Sequence, residues 1–419
     1  MQELTGAKHW FHEKRFGLFV HWGIYAVGAI HEQEQMRLHV PAAKYEKYAE
    51  AFNPTQFDPV QWLDLAQEAG MEYMVFTAKH HDGFCMWDTR ETDYNIMHTP
   101  YGKDALGMLA GECRKRNFPL ELYYSCVDWH HPAYPNIGRH HEIITDPAFY
   151  NMDLYMDFLK RQIRELCTNY GTIHGIWWDM NVPKWMDPSV EEMIASLQPA
   201  AVFNNRGYGP GDYSTPERSF QEESKYPFAK PTEACESIGQ TSWGYRRDES
   251  YFSVRRLERQ ISLYTALGGN YLLNAGPDAT GRFPEKARSI LRRIGSWHKK
   301  TAQALTAKPC PGVIRCPDVL CTGEGKELNL ILLDPPSGES LRLKDLPWMP
   351  RRAVLLNTGE SIALSRGPEI FPPAVTLQGL PVDRMNDEIQ VIRLEFDEDV
   401  IHAADSTVYE DRSAGVAQG

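Results

Sequence analysis

Several features are missing from this 419-residue sequence, and each absence argues against a class of protein. No run of 18 or more apolar residues is present, so no transmembrane helix is expected. The N-terminus lacks the cationic stretch and apolar core of a secretory signal. This makes a cytoplasmic protein the expected class, with a processed mature chain as the alternative. The net charge of −12 disfavours nucleic acid and anionic membrane surfaces as partners.

Cysteine is also scarce, with 8 residues and no CxxC pair, so neither a disulfide framework nor a zinc site is predicted. Three adjacent histidine pairs, His80-His81, His130-His131 and His140-His141, are the alternative metal ligands. Neighbouring side chains on a strand point to opposite faces, so such a pair cannot readily hold one ion. We therefore predict no metal and no cofactor, and we interpret His140 and His141 as part of a solvated loop.

What the sequence does contain is an alternation of short apolar runs with helical patterns over the first 300 residues. The predicted strands are Phe16–His21, Tyr73–Ala78, Leu120–Ser125, Gly175–Asp179, Ala201–Asn205, Thr232–Ile238 and Asn270–Asn274. Helical patterns between them include Val60–Gly70, Ala105–Asn117 and Pro147–Tyr170. The alternation predicts parallel βα units, and its length favours a (β/α)8-like barrel. A doubly wound sheet is less favoured because no GxGxxG loop follows the first strand.

After the predicted barrel, the pattern changes to short β-prone runs punctuated by proline. Leu328–Leu333, Ala353–Leu356 and Val391–Phe396 are examples of these runs. We predict an α/β catalytic domain over residues 1–306, a small antiparallel β-sandwich over 307–402 and a disordered tail over 403–419. The oligomeric state is left open, and a homo-oligomer is compatible with the sequence.

Polar and aromatic residues gather where the predicted barrel strands end, which is the edge where barrel enzymes perform their chemistry. The first strand ends in His21–Gly23 and the second in Lys79–Asp82. Histidine and arginine can bind sugar hydroxyls, while tryptophan packs against the apolar face of a sugar ring. Asp179 ends the aromatic run Gly175–Trp178, which is a setting for a nucleophile or a base. The alternative is an aspartate that only caps the following turn.

Seven blocks of the sequence resemble, in the same order, the α-L-fucosidases of glycoside hydrolase family 29. These blocks are Phe16–Gly23 (FGLFVHWG), Thr77–Asp88 (TAKHHDGFCMWD), Leu122–Ser125 with Asp128-Trp129, Asn169–Gly171, Gly175–Asp179, Ser242–Tyr245 and Leu267–Asn274 with Gly276-Pro277. They extend over about residues 8–300 and include two highly specific segments, HWG and KHHDGF. The resemblance implies a (β/α)8-like catalytic domain, a β-sandwich and retention at the anomeric carbon. In that mechanism one carboxylate attacks the sugar and a second protonates the leaving oxygen.

The resemblance also implies roles for single residues. Asp179 matches the nucleophile. The acid/base is assigned to Glu217, which follows Asp212–Pro216 in a loop like that of the family, with Glu233 as the alternative. The predicted substrate-binding residues, including one aromatic chosen for its place at a strand end, are His21, Glu34, His80, His81, Tyr124, Trp178, Arg206 and Trp243.

The predicted function is therefore retaining hydrolysis of terminal α-L-fucose from fucosylated oligosaccharides or glycoconjugates. Two alternatives stay open. Gln35 follows Glu34 where many relatives carry tryptophan, and loss of an aromatic over the C5 methyl group would admit a related L-sugar such as an α-L-galactoside. The other alternative is a carbohydrate-binding protein that has lost catalysis, against which the carboxylate of Asp179 argues.

Overall fold

A curved parallel sheet forms the first part of the protein in this computed structural model, which describes residues 4–218, 227–311, 318–344, 346, 348–366 and 374–399. The strands are β1 (Phe16–Val20), β2 (Tyr73–Lys79), β3 (Leu120–Ser125), β4 (Gly175–Asp179), β5 (Val202–Phe203), β6 (Glu233–Ser237) and β7 (Asn270–Asn274). Their spatial order is β5-β4-β3-β2-β1-β7-β6, and all their pairings are parallel. Every predicted strand of this part is present, with ends that differ by at most two residues.

One helix precedes β1, one follows β7 and the others lie between the strands, and the long helices pack against the sheet through the large apolar core. They are α1 (Trp10–Glu13), α2 (Tyr25–Gly28), α3 (Glu34–Arg37), α4 (Ala42–Tyr45), α5 (Lys47–Ala51), α6 (Pro59–Glu68), α7 (Ala105–Lys115), α8 (Met152–Asn169), α9 (Ser189–Leu197), α10 (Val254–Ala266) and α11 (Glu285–Thr306). Asp58, Asp104, Asn151 and Ser253 each accept a backbone N–H at the start of a long helix, which fixes where it begins. Within the described ranges, no helix is long and apolar enough to cross a membrane.

The segment 213–217 fills the gap between the two edge strands, β5 and β6. Tyr213 forms a parallel bridge with Asn204 next to β5, while Glu217 forms one with Cys235 in β6. The segment therefore takes the eighth position of the barrel as an irregular strand. This arrangement confirms the predicted (β/α)8-like fold, and it brings Glu217 to the rim although no regular strand carries it.

Side chains alternate between the two faces of the parallel strands, as the pleat requires. On β4, Trp177 belongs to a small apolar cluster inside the barrel, together with Phe19, Tyr73 and Tyr123. Its neighbour Trp178 belongs instead to the large core between the sheet and the helices. Each strand therefore sends every second residue to the barrel axis, and this phase decides which aromatic residues can reach a site at the rim.

A second, antiparallel sheet follows the barrel. Its strands are β8 (Lys308–Pro309), β9 (Val319–Glu324), β10 (Glu327–Leu332), β11 (Ser340–Lys344), β12 (Arg352–Leu355), β13 (Glu360–Arg366), β14 (Ala374–Gln378) and β15 (Gln390–Glu395). The spatial order is β11-β14-β13-β12-β15-β10-β9-β8, and the sheet encloses an apolar core of its own. The predicted antiparallel β domain is thus present. The boundary at residue 307 stays a prediction, and the tail 403–419 lies outside the described residues.

The two parts of the chain meet where α10 and α11 pack against the second sheet. Glu258 of α10 is buried there and accepts a hydrogen bond from the backbone N–H of Ile389 at 3.0 Å. Trp297 of α11 donates its indole N–H to the carbonyl of the same residue at 2.8 Å. Burial, and secondarily the nearby carboxylate of Glu388, raises the pKa of Glu258 to about 8. A protonated carboxyl group therefore belongs to this contact at neutral pH.

Replacing Glu258 with glutamine should make stability less dependent on pH. Because the pKa is higher in the folded chain, the carboxyl group stabilises the fold at acid pH, and this stabilisation disappears as the pH rises towards about 8. Between about pH 5 and 8, the wild-type protein should lose up to about 1.4 kcal/mol of unfolding free energy per pH unit through this group. In thermal melts at several pH values, the stability of Glu258→Gln should fall less steeply with rising pH than that of the wild type. The exposed control Glu50→Gln should show the wild-type dependence on pH.

Candidate active site

Asp179 lies at the carboxyl end of β4, among aromatic side chains that enter the barrel. Its Oδ2 accepts a hydrogen bond from the hydroxyl of Tyr123 at 2.8 Å, and its Oδ1 accepts one from Nη1 of Arg206 at 3.1 Å. Nε2 of His81 is 3.9 Å from Oδ2. The carboxylate is 14% exposed, so it is held by three neighbours and is still open to a ligand.

Glu217 reaches the same arginine from the irregular eighth strand. Nη1 of Arg206 donates to its Oε2 at 2.8 Å, so one nitrogen contacts both Glu217 and Asp179. Because both oxygens contact the same nitrogen, Oδ1 of Asp179 and Oε2 of Glu217 are less than about 6 Å apart. The separation of about 5–5.5 Å found between the carboxyl groups of retaining glycosidases lies within this limit. Glu217 is the more exposed of the two carboxylates, at 38%.

Arg206 is itself fixed on three sides. Its Nε donates to the hydroxyl of Thr215 at 2.6 Å, and its Nη2 donates to the carbonyl of the same residue at 2.8 Å. The guanidinium group lies over the ring of Trp177, 4.8 Å from the centroid. Burial alone would lower the pKa of Arg206, but Glu217 and Asp179 outweigh it and raise the pKa, so the group stays positively charged.

Three histidines line the rim beside Asp179. Nδ1 of His21 contacts Oδ1 of Asn274 at 2.8 Å, and Nδ1 of His81 contacts the hydroxyl of Ser125 at 2.6 Å. His80 stacks on Tyr123, with centroids 5.6 Å apart. Burial lowers the pKa of all three histidines, so they are neutral near pH 7. Neutral imidazoles can both donate to and accept from sugar hydroxyls.

The structure places Glu32, rather than the predicted Glu34, next to these residues. Oε2 of Glu32 accepts from the hydroxyl of Ser242 at 2.5 Å and from the backbone N–H of Trp243 at 2.9 Å. The ring of Trp243 is 5.2 Å from that of His21. Glu34 instead accepts a hydrogen bond from Tyr48 at 2.5 Å and shares none of these partners. Glu32 and Glu34 are only two positions apart in the sequence. No local pattern shows which of the two side chains faces the site.

Tyr124 and Trp178 point away from the rim, although the sequence suggested both as substrate-binding residues. The hydroxyl of Tyr124 donates to Gln162 of α8 at 2.6 Å, and Trp178 packs against Tyr208. The pleat gives the barrel positions to the preceding residue of each strand, Tyr123 and Trp177. The aromatic residues that face the barrel interior are therefore one position before the two that the sequence suggested.

His141 was interpreted as part of a solvated loop, but the structure brings it to the site. Its Nδ1 contacts the side-chain amide of Gln33 at 2.9 Å, and its carbonyl accepts the indole N–H of Trp129 at 2.8 Å. The ring meets that of His81 edge-on, with centroids 5.5 Å apart. Its φ of +60° is in the left-handed region that favours glycine, so surrounding contacts must hold this backbone. No helical or strand period marks such a loop residue in advance.

Glu233, the alternative acid/base, lies inside the barrel. It is fully buried and accepts hydrogen bonds from Tyr73 at 2.5 Å and from the indole N–H of Trp177 at 2.9 Å. Both of its oxygens are therefore occupied by protein donors, whereas Glu217 binds Arg206 through Oε2 alone and is 38% exposed. Among the described residues, no three His, Cys, Asp or Glu side chains converge in a way that would hold a metal ion.

Known proteins resemble this chain in sequence. The model of the alpha-L-fucosidase family matches residues 2–303. Tissue alpha-L-fucosidase of Rattus norvegicus is 31% identical over 330 residues, which cover 71% of this chain and 69% of that protein. The human tissue enzyme is 30% identical over 328 residues, with coverages of 71% and 69%.

Solved structures resemble the whole described fold. Alpha-L-fucosidase isoenzyme 1 from Paenibacillus thiaminolyticus superposes with a TM-score of 0.84 at 30% identity, covering 94% of this chain and 99% of that one. A trapped covalent intermediate of a Bacteroides thetaiotaomicron alpha-L-fucosidase, formed with 2-fluoro-fucosyl fluoride, gives 0.79 at 26% identity, with coverages of 94% and 97%. The match of the family model over most of the chain, together with these relatives, shows that this chain belongs to the alpha-L-fucosidase family.

Proposed function

We propose that this protein is a retaining exo-α-L-fucosidase that removes terminal α-L-fucose from fucosylated oligosaccharides or glycoconjugates. The observation that supports this most strongly is the contact of one nitrogen of Arg206 with both Asp179 and Glu217. Two carboxylates at such a separation are the machinery of retaining glycosidases. The covalent intermediate trapped in a relative of the same fold is consistent with this mechanism.

In the first step, Asp179 is the nucleophile. One oxygen of its carboxylate forms a bond to the anomeric carbon, while the bond from that carbon to the leaving oxygen breaks. Glu217, protonated at this stage, gives its proton to the leaving oxygen. The products are a fucosyl ester of Asp179 and the released alcohol.

In the second step, the same two groups work in reverse. Glu217, now ionised, takes a proton from water, and the water oxygen forms a bond to the anomeric carbon. The ester bond to Asp179 breaks and its carboxylate is restored, with fucose released in its original anomeric configuration. Tyr123 and Arg206 donate to the departing carboxylate, which makes it a better leaving group.

Glu217 suits the acid/base role better than Glu233. Acid/base catalysis requires contact with both the leaving oxygen and the attacking water, so the group must be open to the substrate side. Glu217 has that exposure, whereas Glu233 is fully buried with both oxygens hydrogen-bonded to protein.

The sugar itself is bound, in this proposal, by the neutral histidines and the tryptophan around Asp179. His21, His80 and His81 offer ring nitrogens to hydroxyl groups, and Trp243 offers an aromatic face to the ring. Glu32 accepts hydrogen bonds from the hydroxyl of Ser242 and the backbone N–H of Trp243. Its carboxylate therefore lies beside Trp243. These groups form a compact set at one rim, which suits a single terminal sugar.

A panel of chromogenic substrates tests this function. The protein should release p-nitrophenol from the α-L-fucoside, more slowly from the α-L-galactoside, and not from the β-D-galactoside. Preference for the L-galactoside would favour the altered-specificity alternative. Release from none of them between about pH 4 and 8 would contradict both enzymatic hypotheses and favour a binding protein.

A matched pair of tyrosine variants tests the orientation of β3. Tyr123→Phe removes the hydroxyl that donates to Asp179, and kcat/KM should fall about 10- to 100-fold, as expected for a hydrogen bond to a charged group. Tyr124→Phe, one residue along and bonded to Gln162, should keep most of the activity. Steady-state kinetics on the chromogenic fucoside compares the two, and the reverse ranking would contradict the proposed role of Tyr123.

A further inference from the structure

Two carboxyl groups lie inside the barrel, below the rim that carries Asp179. Glu121 of β3 and Glu233 of β6 are both fully buried. In the described part of the chain, neither forms a salt bridge with a lysine, arginine or histidine side chain. Two neighbouring buried carboxyl groups without a bound cation cannot both carry a charge at low cost, so the pair retains a proton well above the usual pH for a carboxyl group.

The contacts of the two groups are unequal. Glu233 accepts two good hydrogen bonds, from Tyr73 and from Trp177. Glu121 accepts only a long one from Tyr213, at 3.3 Å on Oε2, and its buried Oε1 contacts no donor among the described residues. Donors stabilise the ionised form, so the negative charge belongs on Glu233 and the proton on Glu121.

Glu233 is connected to the reacting groups through Trp177. The indole N–H that it binds belongs to a ring that stacks on Tyr123, with centroids 5.8 Å apart and planes inclined by 18°. The same ring supports the guanidinium of Arg206. Tyr123 and Arg206 are the two donors to Asp179, so the orientation of Trp177 affects both.

We propose that Glu233 is a positioning residue, which holds Trp177 beneath Arg206 and Tyr123, and that Glu121 keeps the proton that the two buried carboxyl groups share. The inference rests on the proposed function, since Asp179 and Glu217 are taken as the catalytic groups. Glu233 touches no reacting atom and acts only through its neighbours.

The electrostatic surroundings agree with this assignment. Burial and the charge of Glu233 raise the pKa of Glu121, against a lowering effect of Tyr213, and the carboxylate of Asp212 also raises it. Burial also raises the pKa of Glu233, against the opposing effects of Tyr73, Trp177, Tyr213 and Arg206. The positive charge of Arg206 lowers the pKa of Glu233 and so favours a negative charge on it.

Glutamine at position 121 reproduces the neutral state that we assign to Glu121. Glu121→Gln should therefore keep kcat/KM within about threefold of the wild-type value. The raised pKa of Glu121 stabilises the wild-type fold at acid pH, and this contribution disappears as the pH rises. Melting temperatures between about pH 5 and 9 should then fall less steeply for Glu121→Gln than for the wild type.

Glutamine at position 233 removes the charge assigned to Glu233 and keeps its shape. Glu233→Gln should lower kcat about tenfold with little change in KM, because the support of Arg206 and Tyr123 is weakened while the sugar-binding groups remain. Azide should not restore its rate, since azide replaces only a missing acid/base. Restoration by azide would identify Glu233 as the acid/base and overturn the positioning role together with the assignment of Glu217.

Two further results would contradict the assignment of the shared proton to Glu121. One is an activity loss in Glu121→Gln as large as that in Glu233→Gln. The other is a melting temperature that falls equally steeply with pH in Glu121→Gln and in the wild type. The melting experiment uses no substrate, so it decides this point even if the wild type cleaves no fucoside, which would be a failure of the proposed function alone. If Glu121→Gln does not fold, an infrared pH titration of Glu258→Gln, which removes the other carboxyl group assigned a proton at neutral pH, replaces it. A carboxylic acid band that persists at neutral pH supports the pair, and its absence overturns it.

Discussion

Asp179→Asn should reduce kcat on the chromogenic fucoside by about four orders of magnitude or more, because Asp179 is the group that forms the covalent intermediate in the proposed mechanism. An amide is nearly isosteric with the carboxylate but is a very poor nucleophile. Arg206 keeps its contact with Glu217 in the variant, so the architecture of the site is retained. Fucose should therefore still bind, which calorimetric titration with the free sugar measures.

The control for this variant is Asp157→Asn, the same chemical change on the exposed face of α8. It should leave kcat and fucose binding unchanged. An active Asp179→Asn would contradict the assignment of the nucleophile. A variant that has lost both turnover and fucose binding would instead assign Asp179 to substrate binding.

The covalent step can also be seen directly. Fluorine at C2 of 2-fluoro-fucosyl fluoride destabilises the oxocarbenium-like transition states of both steps, while the fluoride leaving group speeds only the first, so the ester accumulates. Incubation of the wild type should add one sugar mass, and peptide mapping should place it on Asp179. Labelling of another carboxylate would redirect the mechanism to that residue.

The sequence was sufficient to predict the strands, and the position of Asp179 at a strand end, because both depend on local patterns. Short apolar runs bounded by polar residues mark buried parallel strands, and their carboxyl ends must meet at one rim. Asp179 ends such a run, so its position follows from the pattern without any knowledge of the rest of the fold.

It was harder to predict which residues of each strand face the barrel interior and which face the helices. In a strand buried on both faces, such as β4, nearly every residue is apolar, and the alternation that would separate inside from outside disappears. Trp177 and Trp178 are therefore equivalent in the sequence. They are distinguished by the clusters they join, since Trp177 lies in the barrel interior and Trp178 in the core between the sheet and the helices.

Residues on irregular segments were the least predictable. Glu32 and His141 reach the site through contacts with residues far away in the chain, such as the bond from Ser242 to Glu32 across 210 positions. Such contacts leave no local period or spacing. Glu217 also lies on an irregular segment, and it was identified only because its loop resembles that of a known family.

Glu217→Ala should separate substrates by the quality of their leaving group. A general acid contributes about 10²- to 10⁴-fold, so hydrolysis of a fucosylated oligosaccharide should fall by an amount in that range. A p-nitrophenyl leaving group needs little protonation, so the first step on the chromogenic fucoside should be much less affected. The second step still lacks its base, and the fucosyl ester on Asp179 should accumulate as a burst of p-nitrophenol.

Azide distinguishes this defect from a general loss of structure. It is a strong nucleophile that needs no base, and it fits the space left by the missing carboxylate, so it should restore turnover of Glu217→Ala and give fucosyl azide with retained configuration. Glu233→Ala serves as the comparison, since its carboxylate is buried under Trp177 and offers azide no route to the anomeric carbon. Rescue of Glu233→Ala without rescue of Glu217→Ala would reverse the assignment. The irregular eighth strand would then have a structural role, and the acid/base would have to move out of the barrel interior to reach the substrate.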